Sequence, residues 1–167
     1  MLWILLIIPI GIAIWYWYPD SPLPKGTVIN KLVVYKSKRK MEAYSDNHLI
    51  KVYNIALGKN PVGHKEFEGD NKTPEGTYII NDRNPHSGYH KNLGISYPNE
   101  TDKAHAAKLH KSPGGQIKIH GLPNGRSYIG KLHHRKDWTA GCIAVTNDEM
   151  DELYAAVNKN SVIQILP

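Results

Sequence analysis

From residue 28 onward the apolar residues come in short runs broken by turn residues, and this pattern limits the chain to a mainly β fold. Residues 28–35 are rich in β-branched side chains, and residues 41–44 and 49–57 flank the turn signal Ser45-Asp46-Asn47. That arrangement predicts three strands, the last two paired as a hairpin. Further short strands are expected at residues 77–80, 93–97, 116–120 and 161–166. The stretch 58–76 is rich in glycine, proline and charge and ends in Thr73-Pro74-Glu75-Gly76, so it reads as a long loop. One helix is clearly signalled. Thr146-Asn147-Asp148-Glu149 forms a capping box, after which Leu153, Ala156 and Val157 recur at helical spacing. The expected class is α+β, mainly β, with one helix soon after Cys142 and no internal repeat.

The 167 residues suit one domain. Hydrophobic residues make up 41% and charged residues 22%, which is ordinary for a globular chain. Ten tyrosines and four tryptophans stand against one phenylalanine, a bias toward half-buried rings with a polar tip. The net charge of +6 favours an anionic partner. Nucleic acid is not expected. The basic residues are scattered (Lys36, Lys38, Arg39 and Lys40, then singly), with neither zinc-finger spacing nor a basic helix.

Residues 2–18 carry no charge, and Trp15, Tyr16, Trp17 and Tyr18 cluster at one end, where an aromatic belt would lie at headgroup level. A cleaved signal peptide would need a basic start and a small-residue cleavage site, and both are missing. The expected organisation is a transmembrane signal anchor over 1–19, a Pro/Gly tether over 20–26 and a folded domain over 27–167. Lys25, Lys31 and Lys36 follow the apolar run, which by the positive-inside rule favours a cytoplasmic domain.

Cys142 is the single cysteine, so no intramolecular disulfide framework exists. Between glycine and isoleucine, a cysteine is most often a small buried hydrophobe. In an exported chain, however, a lone thiol oxidises unless it is buried or used. As a nucleophile it needs a base or an electropositive setting. His120, at the end of a predicted strand and followed by Gly121, is the candidate base. Gly141 lets the backbone turn sharply, so the amides of Gly141 and Cys142 are candidates for an oxyanion hole. The helix beginning near Thr146 would favour thiolate if its positive end points at the sulfur. A metal centre would have to use His120, His133, His134 and Cys142. A vicinal His-His pair tends to point its rings apart, and neither HExxH nor CxxC spacing occurs. Neither metal nor cofactor is expected.

The segments Ile119-His120-Gly121 and Thr139-x-Gly141-Cys142 resemble the signature of the L,D-transpeptidase catalytic domain (YkuD) family, from about residue 27 to the C-terminus. Gly69-Asp70 and Thr73-Pro74-Glu75-Gly76 resemble a recurring family segment, and IHGLPNG with DWTAGC resembles one branch. The resemblance implies a β-sandwich or open barrel. It also implies attack by Cys142 on the L,D bond of a peptidoglycan stem tetrapeptide, with His120 as base and acid and the Gly121 carbonyl orienting it. An amine acceptor then resolves the thioester. That branch includes members resembling hydrolases of cell-wall links, so water is the alternative acceptor. The family commonly has histidine before Gly-Cys and arginine or asparagine two residues after the cysteine; this chain has Ala140 and Ala144. Those departures motivate a further alternative, an inert cell-wall-binding module, and a zinc hydrolase is the third class. His133-His134-Arg135-Lys136 is the stretch from which a replacement imidazole or cation is expected. Candidate contacts to the peptide are Thr139, Ser87, His90, Tyr97, His133 and Arg126, with Lys72 as a further carboxylate ligand. The resemblance places the domain on the periplasmic, cell-wall side of the cytoplasmic membrane, held by the N-terminal helix in a single pass.

Overall fold

The computed structural model describes residues 21–167 together with Tyr16. The expected anchor over residues 1–19 otherwise lies outside the described residues. Among those described, no helix is long and apolar enough to cross a membrane.

Eight strands form the sheet: β1 (Ile29–Tyr35), β2 (Lys40–Ser45), β3 (His48–Asn54), β4 (Gly76–Ser87), β5 (His90–Ile95), β6 (Lys118–His120), β7 (Ile143–Ala144) and β8 (Val157–Leu166). Among the described residues the sheet is accompanied by two α-helices, α1 (Glu100–Lys108) and α2 (Asn147–Ala156), and by a 3-10 segment, Ser127–Arg135, that is kinked at Gly130. The strand order is β3-β2-β1-β8-β4-β5-β6-β7. The sheet curls into a half-barrel, mainly β as expected from the sequence.

The expected β2–β3 hairpin forms, with Ser45 opposite His48. Asp46 and Asn47 both adopt positive φ, 46° and 68°, as a tight hairpin turn of matching twist requires. The C-terminal strand is held between β1 and β4: it runs parallel to β1, with Leu32 opposite Ile163, and antiparallel to β4, with Tyr78 opposite Ile163. From Ser161 onward β8 alternates strictly, so Ser161, Ile163 and Ile165 are buried while Val162 faces outward. The core gathers Leu32, Val34, Met41, Ala43, Tyr78, Ile80, Ile163 and Ile165, all nearly or fully enclosed. α2 adds Met150, Leu153 and Ala156 to this core.

The capping box forms as read: Thr146 Oγ1 accepts from the Glu149 amide at 3.3 Å, and Glu149 Oε2 accepts from the Thr146 amide at 2.8 Å. Val157, assigned from the sequence to the helix face, instead opens β8. Three features differ from expectation. The polar stretch 84–90, between the strands expected at 77–80 and 93–97, is itself strand on both sides of a tight Ser87–His90 reversal. α1 escapes a periodicity reading because only Asp102 and Ala106 of its residues are buried. Its signal is a second capping box, Asn99 with Asp102. The 3-10 segment was likewise not anticipated.

The alternation along β8 is directly testable. Ile163→Ala should destabilise the domain by about 2–5 kcal/mol, because a buried side chain is lost and a cavity remains. Val162→Ala, one residue away on the outer face, should cost less than about 0.5 kcal/mol. Urea unfolding of the two variants measures the difference.

Candidate active site

Strand β6 is short, and its alternation decides what faces the cleft. Ile119 enters the core, while Lys118 and His120 share the opposite face. Its neighbours hold it on both sides, with Asn92 of β5 opposite His120 and Ala144 of β7 opposite His120. The residue after β6 is locked as well. The Gly121 amide donates to the Tyr89 carbonyl at 3.1 Å, and the Leu122 amide donates to Asn147 Oδ1 at 2.8 Å. A Cβ on Gly121 would lie 2.7 Å from Asn147 Oδ1 and 3.0 Å from His90 Cβ, so a side chain there would push Asn147 off the Leu122 amide.

Cys142 arrives through a turn built by its own segment. Thr139 Oγ1 donates to the Cys142 carbonyl at 2.7 Å and accepts the Gly141 amide at 3.1 Å. Gly141 has φ +133°, and a Cβ there would meet the Lys72 carbonyl at 2.7 Å. The turn is anchored upstream by Asp137, which accepts the Leu57 amide at 2.9 Å and pairs with Arg39 at 2.7 Å. The sequence expectation for the Gly141 amide is therefore corrected: Thr139 holds that donor inside the turn.

His120 and Cys142 line one cavity of about 450 Å³, together with Lys59, Ser87, Tyr89, Asn92, Gln116, Lys118, Trp138, Thr139 and Ala140. His120 is buried and packs against two aromatic rings that also meet each other, Tyr89 and Trp138, 6.1 Å apart. Tyr89 lies at 4.7 Å between centroids and Trp138 at 5.6 Å, edge-on. His120 Nδ1–H donates to the Gly121 carbonyl at 2.7 Å. In the neutral ring this leaves Nε2 with its lone pair. The Cys142 thiol donates to the Gln116 carbonyl at 3.5 Å. Burial pushes the thiol above its ordinary value of 9.0, although the Lys118 amide and the Lys118 and Lys65 charges oppose the rise. Burial likewise pulls His120 below 6.5, against the pull of the Gly121 carbonyl. Both effects favour a neutral thiol beside a neutral imidazole.

The other expected contacts divide. Ser87 lines the cavity, although its Oγ is engaged by the Tyr89 amide at 3.0 Å. Thr139 lines it too, with its hydroxyl committed to the turn. His90 does not reach the cavity; its Nε2 meets Asp151 on α2 at 2.6 Å. Tyr97 is a core residue whose hydroxyl donates to the Pro113 carbonyl at 2.9 Å. Lys72 pairs with Glu66 at 2.8 Å. Arg126 and His133 line a separate cavity of about 280 Å³, which shares Trp138 with the first. His133 is buried, and burial, with His134 and His120 nearby, pushes it down to about 3. The vicinal rings do not point apart: their centroids are 3.9 Å from each other, and Glu149 joins them with ligand atoms within 4.8 Å. Lys59, Lys118, Asn92, Tyr89 and Trp138 were not assigned from the sequence. Trp138 stands in the DWTAGC segment, and Lys118 lies two residues before His120 on a strand, so period-two alternation was the available signal for it.

Residues 29–165 match the model of the L,D-transpeptidase catalytic domain (YkuD), and the chain belongs to this family. YafK of Escherichia coli (strain K12) is 29% identical over 130 residues, which cover 74% of this chain and 45% of YafK. The helical cell shape determining protein Pgp2 from Campylobacter jejuni superposes with a TM-score of 0.62 at 26% identity, over 84% of this chain and 48% of Pgp2. An Enterococcus faecium L,D-transpeptidase shares the fold, with a TM-score of 0.55 at 16% identity, over 84% of this chain and 50% of that one. This chain thus spans about half the length of YafK, 45%, and of Pgp2, 48%.

Gly141→Ala tests the turn. The strained φ alone should cost about 1–3 kcal/mol. The clash with the Lys72 carbonyl adds to that, because backbone cannot swing aside. Denaturant unfolding should register a lower midpoint, with slope unchanged.

Proposed function

We propose that this domain is a cysteine acyltransferase acting on peptidoglycan stem peptides through a Cys142 thioester. The observation that carries this reading is His120 with Nδ1 tied to the Gly121 carbonyl, in one cavity with the family's cysteine. A histidine held this way presents Nε2 as the proton acceptor. The thiol proton passes to Nε2, and the sulfur attacks the carbonyl of the bond between the diamino acid and D-Ala. The tetrahedral oxyanion requires a donor, for which the Cys142 amide is this turn's candidate now that Thr139 holds the Gly141 amide. Collapse breaks the C–N bond, and His120 returns its proton to the leaving D-Ala amine. An acceptor amine then attacks the thioester, its proton passes to His120, and the thiol is restored.

Because burial favours neutral forms of both groups, His120 works as a general base during attack, not as half of a preformed ion pair. Water as the acceptor gives an L,D-hydrolase with the same first half-reaction. We place the domain on the cell-wall side of the cytoplasmic membrane, tethered by the uncharged N-terminal run. A C-terminal reporter fusion tests this; cytoplasmic signal would end the cell-wall reading.

Intact-mass measurement after a carbapenem should register one covalent adduct on the wild-type chain and none on Cys142→Ala. No adduct together with no turnover of tetrapeptide muropeptides would leave an inert module instead. Product masses from muropeptide digestion distinguish an amine acceptor from water.

The pH dependence follows from the two groups. Alkylation of Cys142 by iodoacetamide should rise through a midpoint above pH 9.0, because burial holds the thiol protonated. Acylation by substrate should persist to acidic pH and fail only below 6.5, as His120 gains the proton that blocks it from acting as base. A stopped-flow pH profile of each reaction measures both limbs.

A further inference from the structure

The cavity holds more than the reacting pair. Among the described residues lining it are two lysines and no carboxylate. Lys118 lies on the same face of β6 as His120, and its charge acts on both Cys142 and His120. Neither Lys118 nor Lys59 has an ion-pair partner among the described residues, whereas Lys36, Lys51, Lys65, Lys72 and Lys91 each meet a carboxylate within 2.8 Å. Lys59 is exposed at the rim, with its backbone amide on the Thr139 carbonyl at 3.0 Å. Asn92 adds a second, independent sign of a missing ligand. Its side chain lines the cavity, is 97% buried, and its Oδ1 has no hydrogen-bond partner. A buried acceptor without a partner costs free energy that a bound donor would recover.

We propose that Lys118 and Asn92 form a two-point binding site for the acyl donor, in which Lys118 takes a free carboxylate beside the scissile bond and Asn92 Oδ1 accepts a peptide N–H. The proposal rests on the thioester reading for the identity of the peptide, and it adds which groups of that peptide are read. The geometry suits both. β5 and β6 are paired with Asn92 directly opposite His120, so an N–H accepted by Asn92 lies next to the base. Lys118, two residues along β6, is on the same face and lines the same cavity as Cys142. Lys59 at the rim supplies a second positive charge that draws an anionic peptide inward. Lys118 is a binding residue here; its influence on the thiol is a separate effect that the experiment must resolve.

In a stem tetrapeptide whose diamino acid is a diaminodicarboxylic acid, two carboxylates flank the bond, the terminal one on D-Ala and the free one on the diamino acid. Three synthetic peptides distinguish them: the free tetrapeptide, its C-terminal amide, and the form amidated on the diamino-acid carboxylate. Binding is measured by calorimetry on full-length Cys142→Ala, which cannot turn over. The free peptide should bind about ten- to a hundredfold more tightly than one of the two amides, the range expected for a charge-assisted bond to a carboxylate. Adding Lys118→Met should remove that preference, and Lys118→Arg should restore it. Adding Asn92→Ala should weaken all three peptides by a common factor and leave their ratio unchanged. Thermal unfolding checks that each variant is folded.

Equal binding of the three peptides would overturn the proposal. So would a Lys118→Met effect that lowers wild-type acylation of the free and amidated peptides alike, since that outcome marks Lys118 as acting only on the thiol. Acid-over-amide preference on Cys142→Ala, with no acyl adduct on the wild-type chain by intact mass, would uphold this site and overturn the thioester reading. An acyl adduct formed equally from all three peptides would do the reverse.

Discussion

Asp70 is enclosed in the loop between β3 and β4, and its two oxygens collect Lys65 Nζ at 2.8 Å and the amides of Glu66, Phe67 and Lys72 at 2.7, 3.2 and 2.9 Å. Burial alone would raise its pKa, but the Lys65 ammonium and these amides outweigh it and hold the carboxyl below 3.8. The consequence is geometric. With Asp70 fixed, the Asn71 and Lys72 carbonyls are fixed, and they press on Gly58 and Gly141, where no Cβ could stand. The Asn71 carbonyl also accepts the Asn60 amide at 3.1 Å, and the Gly58 amide donates to Thr73 Oγ1 at 3.1 Å. Gly58 pairs in turn with Thr139, whose hydroxyl closes the turn that presents Cys142. One buried carboxylate is thus linked through backbone contacts to the position of the thiol.

His120, the candidate base, is positioned by a different set of forces. His120 is placed by sheet pairing, held at Nδ1 by the next residue's carbonyl, and flanked by Tyr89 and Trp138. The rings exclude water from most of the imidazole, which disfavours its charged form. That is costly for a resting ion pair but suits the role proposed for His120, which needs a neutral imidazole when substrate arrives. Trp138 belongs to the thiol's segment and Tyr89 to the β4–β5 reversal, so the imidazole sits where these segments meet.

Much of the candidate site was legible in the residues. Cys142, His120, Gly121 and Thr139 form a pattern that local chemistry explains: glycines where backbone must approach closely, a histidine ending a strand, a hydroxyl within the turn. The assignments of His90 and Tyr97 did not survive folding. Each carries a polar tip that could meet a peptide, and the sequence does not say which way that tip faces. In the folded chain, His90 has φ +65° and turns toward Asp151, while Tyr97 points into the core with its hydroxyl on Pro113. α1 was illegible for a different reason: a helix that buries only Asp102 and Ala106 leaves no apolar stripe to read.

What the sequence by itself determined was local: the strand periods, the hairpin at Asp46-Asn47, the capping box at Thr146, and the family pattern around Cys142. These depend on neighbours a few residues apart, and such neighbours are present in the sequence. Only the tertiary structure decided that β8 would lie between β1 and β4, that Lys72 would set the Gly141 turn, and that Lys118 and Asn92 would share a cavity with the thiol. Those are contacts between segments distant in sequence, chosen by which packing buries the apolar faces and satisfies the polar groups together. No single segment carries that information, because each of these residues, read alone, is an ordinary lysine, glycine or asparagine.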